Sequence, residues 1–183
     1  MTRLVGISGS LRKGSLNTKL LHACVGLLPA GASLEIATLH DVPLYDGDVE
    51  AAAFPQPVTR LKDQIAGCDA LLLVSPEYNH SMPGVLKNAI DWASRPPADI
   101  ERVFMGRPVA LIGASPGSFG TARGQAAWLP VLRAVQLRPF FELPPFYLAK
   151  AGDAFDDEGA LKDPRSRDLL AAFLRGFVAF AAR

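Results

Sequence analysis

A chain of 183 residues has room for one domain with a full core, but not for an added substrate domain. Its 19 basic and 18 acidic residues leave a formal charge of +1, which argues against a polybasic nucleic-acid face or an acidic tail and in favour of a small-molecule partner. Cys24 and Cys68 are not spaced as metal ligands or as a disulfide framework, and no stretch has the make-up of a signal peptide or a membrane span, so we expect a soluble cytoplasmic protein with reduced thiols.

Leu4 to Ser8 reads as the first strand. The loop Gly9-Ser10-Leu11-Arg12-Lys13-Gly14-Ser15 follows, and then a helix with apolar positions Leu16, Leu20, Leu21, Cys24, Val25 and Leu28. Strand, small-residue loop and helix form an anion cradle, because glycine lets the backbone approach closely and a helix N-terminus presents unpaired N–H groups. Ser10, Ser15 and Asn17 add hydroxyl or amide donors, and Arg12 a cation. An ordinary turn capped by Ser15 would use only one of them. A triphosphate loop needs Lys where Ser15 stands, and the dinucleotide fingerprint fails because Ser8 holds the place of its second glycine. A phosphate monoester is the guest that remains.

Ser33 to Leu39 is the second strand, and it runs into a loop from His40 to Asp48 in which Asp41 is given no role. After a loop at Phe54 to Pro57, Val58, Leu61, Ile65 and Ala66 mark a short helix. Ala70-Leu71-Leu72-Leu73-Val74 is the central stretch, an unbroken apolar run of strand length, expected mid-sheet and buried on both faces. It stops at Ser75-Pro76, crosses a polar loop to Met82 and resumes as a helix with Pro83 in its first turn and Val85, Leu86, Ala89, Ile90 and Ala93 on one side. The loop thus lies at the carboxyl end of a parallel strand, where open α/β sheets bind ligands.

A proline-rich connection from Ser94 to Asp99 leads to a strand from Pro108 to Ala114, the loop Ser115-Pro116-Gly117-Ser118-Phe119-Gly120 and a helix from about Thr121 to Ala134. Several such strand ends would converge on one crevice. In the tail, Phe140-Phe141 and Phe146-Tyr147-Leu148 read as short edge segments interrupted by Pro139, Pro144 and Pro145. Asp156-Asp157-Glu158-Gly159 lacks the alternating ligands of a calcium loop and reads as a solvated turn. Asp163-Pro164 caps a last helix whose apolar stripe is Leu169, Leu170, Phe173, Leu174, Phe177 and Phe180.

Gly9 to Asn17 (GSLRKGSLN) and Ser75 to Trp92 (SPEYNHSMPGVLKNAIDW), with the small-residue loop from Ser115, resemble the NADPH-dependent FMN reductase family, the flavodoxin-like group of chromate, quinone and azo-dye reductases. The order of elements extends the resemblance over essentially the whole chain. It implies a five-stranded parallel sheet in the order 2-1-3-4-5, with helices on both faces and FMN at the strand ends. By resemblance, Ser10, Arg12, Ser15, Leu16 and Asn17 hold the phosphate; Pro76, Glu77, Tyr78 and Asn79 line the isoalloxazine; Ser115 and Gly117 approach its pyrimidine edge. No side chain is assigned as a catalyst. Tyr78 either shapes the acceptor pocket or is a packed loop aromatic, and Glu77 is a surface-turn or helix-end carboxylate in preference to a general base. The resemblance further implies NADPH or NADH as donor, a small electron acceptor, a two-step exchange with ping-pong kinetics, and a homodimer or homotetramer. Arg123 matches a subunit-contact position in part of the family, whereas Ala126-Ala127 supply no hydroxyl for a polar network there, and Phe119 puts a large aromatic in a loop that borders the flavin.

Two other functions use the same residues. Gly113-Ala114-Ser115-Pro116-Gly117 matches a nucleophile elbow, but His22, His40 and His80 all precede Ser115, which is the wrong order for an α/β-hydrolase. A flavodoxin-type electron carrier would be strongly acidic, which this chain is not.

Overall fold

The computed structural model describes residues 1–183, and its sheet is built outward from the apolar run at Ala70. All five residues of Ala70–Val74, here β3, are buried. Strand β3 pairs with β1 (Thr2–Ser8) on one side and with β4 (Pro108–Ala114) on the other, both parallel. Beyond β1 lies β2 (Ala32–Ala37), again parallel, so the order is 2-1-3-4-5.

The fifth position is divided. Arg138–Pro139, β5, pairs with the start of β4, and Phe146–Leu148, β6, with its end. Phe140 still donates its N–H to Val109 at 2.8 Å, but Phe141 is exposed and unpaired where a strand is predicted. The chain leaves the sheet here because Pro144 and Pro145 have no N–H to contribute to a ladder, and because the Phe140 ring turns into an aromatic cluster with Phe173, Phe177 and Phe180.

Alternation along β3 divides the core. Leu72 faces Leu20 and Leu21 of α1 (Leu16–Val25) together with Phe173 and Phe177 of α7 (Pro164–Ala181). Leu71 and Leu73 face the other layer. That layer contains Leu61 and Ile65 of α3 (Gln56–Ala66), Leu86 and Ile90 of α4 (Gly84–Ala93), and Trp128 of α6 (Ala122–Ala134). A strand covered on both sides has no solvent face to mark with polar residues, which is why the run is unbroken.

Two short helices fall where no element is predicted. Helix α2 (Gly47–Ala52), capped by the Asp46 carboxylate at 2.8 Å from the Asp48 N–H, buries none of its residues and so has no apolar stripe. Helix α5 (Asp99–Val103) is a single turn, anchored by the Asp99 carboxylate 2.6 Å from the buried ammonium of Lys62. Pro83 is the cap before α4 rather than a residue of its first turn. Asp163 caps α7 as expected, but Leu169 is 55% exposed and the buried stripe begins at Leu170. The Asp156 carboxylate accepts the N–H groups of Glu158 and Ala160, closing a turn on itself. Both cysteines are buried and free, with the Cys24 thiol pushed up to about 12 by burial. No helix is long and apolar enough to cross a membrane.

Candidate functional site

The carboxyl ends of β1, β3 and β4 open on one side of the sheet. The Gly9 N–H donates to Val74 O at 2.9 Å, which sets the first loop against the third strand. A Cβ at Gly9 would lie 2.9 Å from both Pro76 and Pro83, so the two loops touch only because residue 9 has no side chain. Ser15 caps α1, its Oγ 3.1 Å from the Thr18 N–H. The main-chain N–H groups of Leu16 and Asn17, in the helix's first turn, have no partner within the chain. The Ser10 hydroxyl has none either, although Ser10 is buried. Arg12 donates only to the Gly14 carbonyl, at 2.9 Å, and faces no carboxylate. From Gly9 to Lys19 the sequence has three basic residues and no acidic one, so unsatisfied donors and positive charge meet at a helix N-terminus.

The loop after β3 is held from behind. Ser75, fully buried, accepts the indole N–H of Trp128 at 2.9 Å and donates to the Pro76 carbonyl. Tyr78 and Ser81 exchange main-chain hydrogen bonds at 3.0 Å around Asn79 and His80, both at positive φ (51° and 62°). This is a mirror-image two-residue turn, a backbone that asparagine tolerates better than most residues. Glu77 turns away from the turn: Oε2 accepts the Gly124 N–H at 2.8 Å, and Oε1 lies 3.4 Å from His80 Nδ1. Burial alone would raise its pKa, but the N–H of Gly124, His80 and the N–H of Arg123 together outweigh it and hold the carboxyl below the usual range. Further along, Asn88 and Trp92 donate to the Pro43 carbonyl at 2.8 and 2.9 Å, fastening the loop that follows β2.

The loop after β4 spends its polar groups internally. Asn17 Nδ2 donates to the Ala114 carbonyl and its Oδ1 accepts the Ala114 N–H, both at 2.9 Å and buried. The Ser115 N–H and carbonyl pair with Leu148 and Ala151, its hydroxyl oxygen accepts the Gly117 N–H at 3.1 Å, and the Gly117 carbonyl accepts the Lys150 N–H. No histidine bonds to Ser115, so no base is present to activate it as a nucleophile.

These loops enclose a cleft of about 340 Å³. Of the predicted residues, Ser10, Arg12, Ser15, Leu16 and Asn17 line one part of it, and Pro76, Glu77, Tyr78 and Ser115 another. Asn79 and Gly117 lie outside the wall, in the turns behind Tyr78 and Ser115. Ala114, Pro116 and Gly152 line it unpredicted. Gly152 belongs to a small-residue stretch, Ala149 to Asp153, that follows the apolar run Phe146 to Leu148. That is the same strand-then-loop signal as at the other three positions. Phe119 is 74% exposed and does not line the cleft; its ring lies 5.5 Å from the Arg123 guanidinium, which also donates to His80 at 2.9 Å. A second cavity of about 330 Å³, at the sheet edge between β4 and α6, is lined mainly by apolar side chains including Leu111, Leu129 and Phe141. The polar cleft combines open helix-terminus donors, a guanidinium that faces no carboxylate and the half-exposed ring of Tyr78, a set that suits an anionic tail on a flat ring.

A model of the NADPH-dependent FMN reductase family matches residues 2–147. The chain is 48% identical over 168 residues to an NAD(P)H-dependent FMN reductase of Pseudomonas aeruginosa, covering 92% of this chain and 89% of that protein. It is 38% identical over 184 residues to a 2-hydroxy-1,4-benzoquinone reductase of a Burkholderia species, covering 97% and 95%. Among solved structures, the flavoenzyme NAD(P)H:(acceptor) oxidoreductase FerB of Paracoccus denitrificans superposes with a TM-score of 0.88 at 34% identity, over 100% of this chain and 98% of that one.

Proposed function

This chain belongs to the NADPH-dependent FMN reductase family, and from that premise we propose that it is an FMN-dependent oxidoreductase taking electrons from NADPH or NADH and passing them to a small acceptor such as a quinone, free flavin, azo compound or chromate. The observation that carries this reading is the first turn of α1, where the N–H groups of Leu16 and Asn17 stand open beside Ser10 and Arg12 with no acidic residue near in sequence. Main-chain donors at a helix start bind a phosphate monoester without needing a metal. Ser10, Arg12, Ser15, Leu16 and Asn17 would hold that phosphate, the last two through main chain. Pro76, Glu77, Tyr78 and Asn79 would shape the ring side, and Ser115 and Gly117 its far edge. Bound FMN supplies two-electron pick-up and release. The protein's share is to fix the ring, to exclude water from it and to leave one face open at Tyr78, which is 49% exposed.

In this reading the enzyme is cytoplasmic and acts as a homodimer or homotetramer, an assembly supported by the exposure of Leu44 (82%) and Phe119 (74%) and tested by sedimentation. Donor and acceptor share one open face, so they bind in turn. Parallel double-reciprocal lines are expected, and intersecting lines would reject the exchange. The direct test is an absorption spectrum of the purified protein with added FMN, followed by NADPH without air. A flavin band that appears and then bleaches is expected; a protein that retains no flavin, or whose flavin NADPH leaves oxidised, refutes the proposal.

A further inference from the structure

Helix α6 has thirteen residues and a threonine at its N-cap, yet Thr121 does not cap it. The Thr121 hydroxyl instead accepts the Gln125 amide at 3.1 Å. The job falls to another loop: Glu77, from the turn after β3, places Oε2 2.8 Å from the N–H of Gly124, the third residue of α6. The two segments meet without a gap. A Cβ at Gly124 would lie 3.2 Å from both Glu77 Cβ and the Ser81 carbonyl. Beside it, Arg123 of α6 lies with Nη1 2.9 Å from His80 Nδ1, a second contact between the helix and the same turn. The Glu77 side chain is only 11% exposed, so this carboxylate is a helix-end contact and not a solvated surface group.

Glu77 nevertheless lines the cleft. Its own main-chain N–H has no acceptor within the chain. The residue therefore has two ends, a carboxylate pinned to α6 and a main-chain N–H left without a partner in a residue that lines the cleft. The preceding peptide is fixed by Ser75, which is itself tied to Trp128 one turn further along the same helix. Helix α6 thus grips the β3 loop at both sides of Pro76.

We propose that Glu77 is a positioning residue for the electron-transfer reaction: by capping α6 it sets the height and tilt of the Pro76 to Tyr78 main chain, and through it the hydrogen bonding of the flavin ring. The proposal rests on the FMN reading given above. Donors aimed at a ring that gains negative charge on reduction stabilise the reduced form more than the oxidised one, so a shift in their position alters the midpoint potential as well as the affinity.

The experiment compares wild-type protein with Glu77→Ala, Glu77→Gln and Gly124→Ala. FMN dissociation constants are measured by fluorescence quenching, two-electron midpoint potentials by dye-coupled titration, and melting temperatures on the apoprotein. Glu77→Ala is expected to raise the FMN dissociation constant at least tenfold and to lower the potential by about 30 mV, the equivalent of a tenfold preferential loss of reduced-flavin binding. Glu77→Gln keeps an acceptor oxygen for Gly124 and is expected to return to within threefold of wild type. Wild-type affinity and potential in Glu77→Ala, whatever its melting temperature, overturn the proposal. If Glu77→Ala does not fold, Gly124→Ala decides, because its added methyl pushes on the loop while leaving the carboxylate in place: altered affinity and potential support the clamp, and unaltered values overturn it. A wild-type protein that binds no FMN removes the cofactor reading and the clamp together, whereas binding with no response to these substitutions removes the clamp alone.

Discussion

The loops after β1 and β4 border the same cleft and treat their polar groups in opposite ways. After β1, the Ser10 hydroxyl, the Arg12 guanidinium and the N–H groups of Leu16 and Asn17 face no partner able to satisfy them beyond the Gly14 carbonyl. After β4, Ala114, Ser115 and Gly117 are bonded to Asn17 and to residues 148–151 almost group for group. Unmet donors cost stability unless water or a ligand meets them, so a chain that leaves several open in one loop and almost none in its neighbour separates a binding loop from a supporting wall. Asn17 joins the two, with its main chain on the open side and its side chain on the closed one.

Asn17→Ala is the largest test of that division. It strands the buried N–H and carbonyl of Ala114 together, and we expect a loss of about 2–4 kcal/mol in urea unfolding. An apoprotein of undiminished stability with weakened FMN binding would move the Asn17 side chain from the wall to the ligand. Arg12→Ala probes the open side. It should weaken FMN binding by about 10- to 100-fold, the worth of a charge-assisted hydrogen bond to phosphate, and leave apoprotein melting unchanged. Equal losses in melting and in affinity would show that Arg12 braces the loop through Gly14 instead.

Much of this is legible in the sequence. Apolar runs place β1, β3 and β4, and the small residues that follow each of them place the cleft, because a strand buried on both faces and a loop that must approach a ligand both restrict residue type strongly. What the sequence does not disclose is direction. Asn17 and Glu77 are polar residues in the right loops, yet the partners of their side chains, Ala114 and Gly124, lie far along the chain. Nothing in the local pattern says that a carboxylate caps a helix in another segment. Helix α2 escapes for a different reason, since it packs no residue into the core and so has no periodicity to read. The motif from Ser75 to Trp92 carries the family resemblance, but at its helical end Asn88 and Trp92 serve to fasten the loop at Pro43 and not to touch the cleft.

A pH series tests carboxylates that, like the closed loop, are spent on bonds within the chain. The Lys62 ammonium holds the Asp99 carboxyl below its ordinary range, and Glu77, which burial alone would raise, is brought below it by the N–H groups at the start of α6. A carboxyl with a lower pKa folded than unfolded adds stability that is complete above the unfolded value and is lost as pH falls through the folded one. Melting temperature should therefore decline on acidification below about pH 4, and Glu77→Gln should make the decline shallower. A curve for that variant parallel to wild type would show that the Gly124 contact does not depend on charge.

Ser115→Ala should have the smallest effect, although Ser115 sits in the cleft wall within a sequence that imitates a nucleophile elbow. Its hydroxyl oxygen accepts one N–H, from Gly117 two residues on, in an exposed loop whose main chain is already tied to Leu148, Lys150 and Ala151. Losing one exposed side-chain bond while the main-chain bonds remain should cost under about 1 kcal/mol and change FMN affinity less than Arg12→Ala does. Residual ester hydrolysis, if any is detected, should be the same in both proteins, because no histidine reaches the hydroxyl. A loss of flavin affinity as large as that of Arg12→Ala would place Ser115 among the open donors and erase the difference between the two loops.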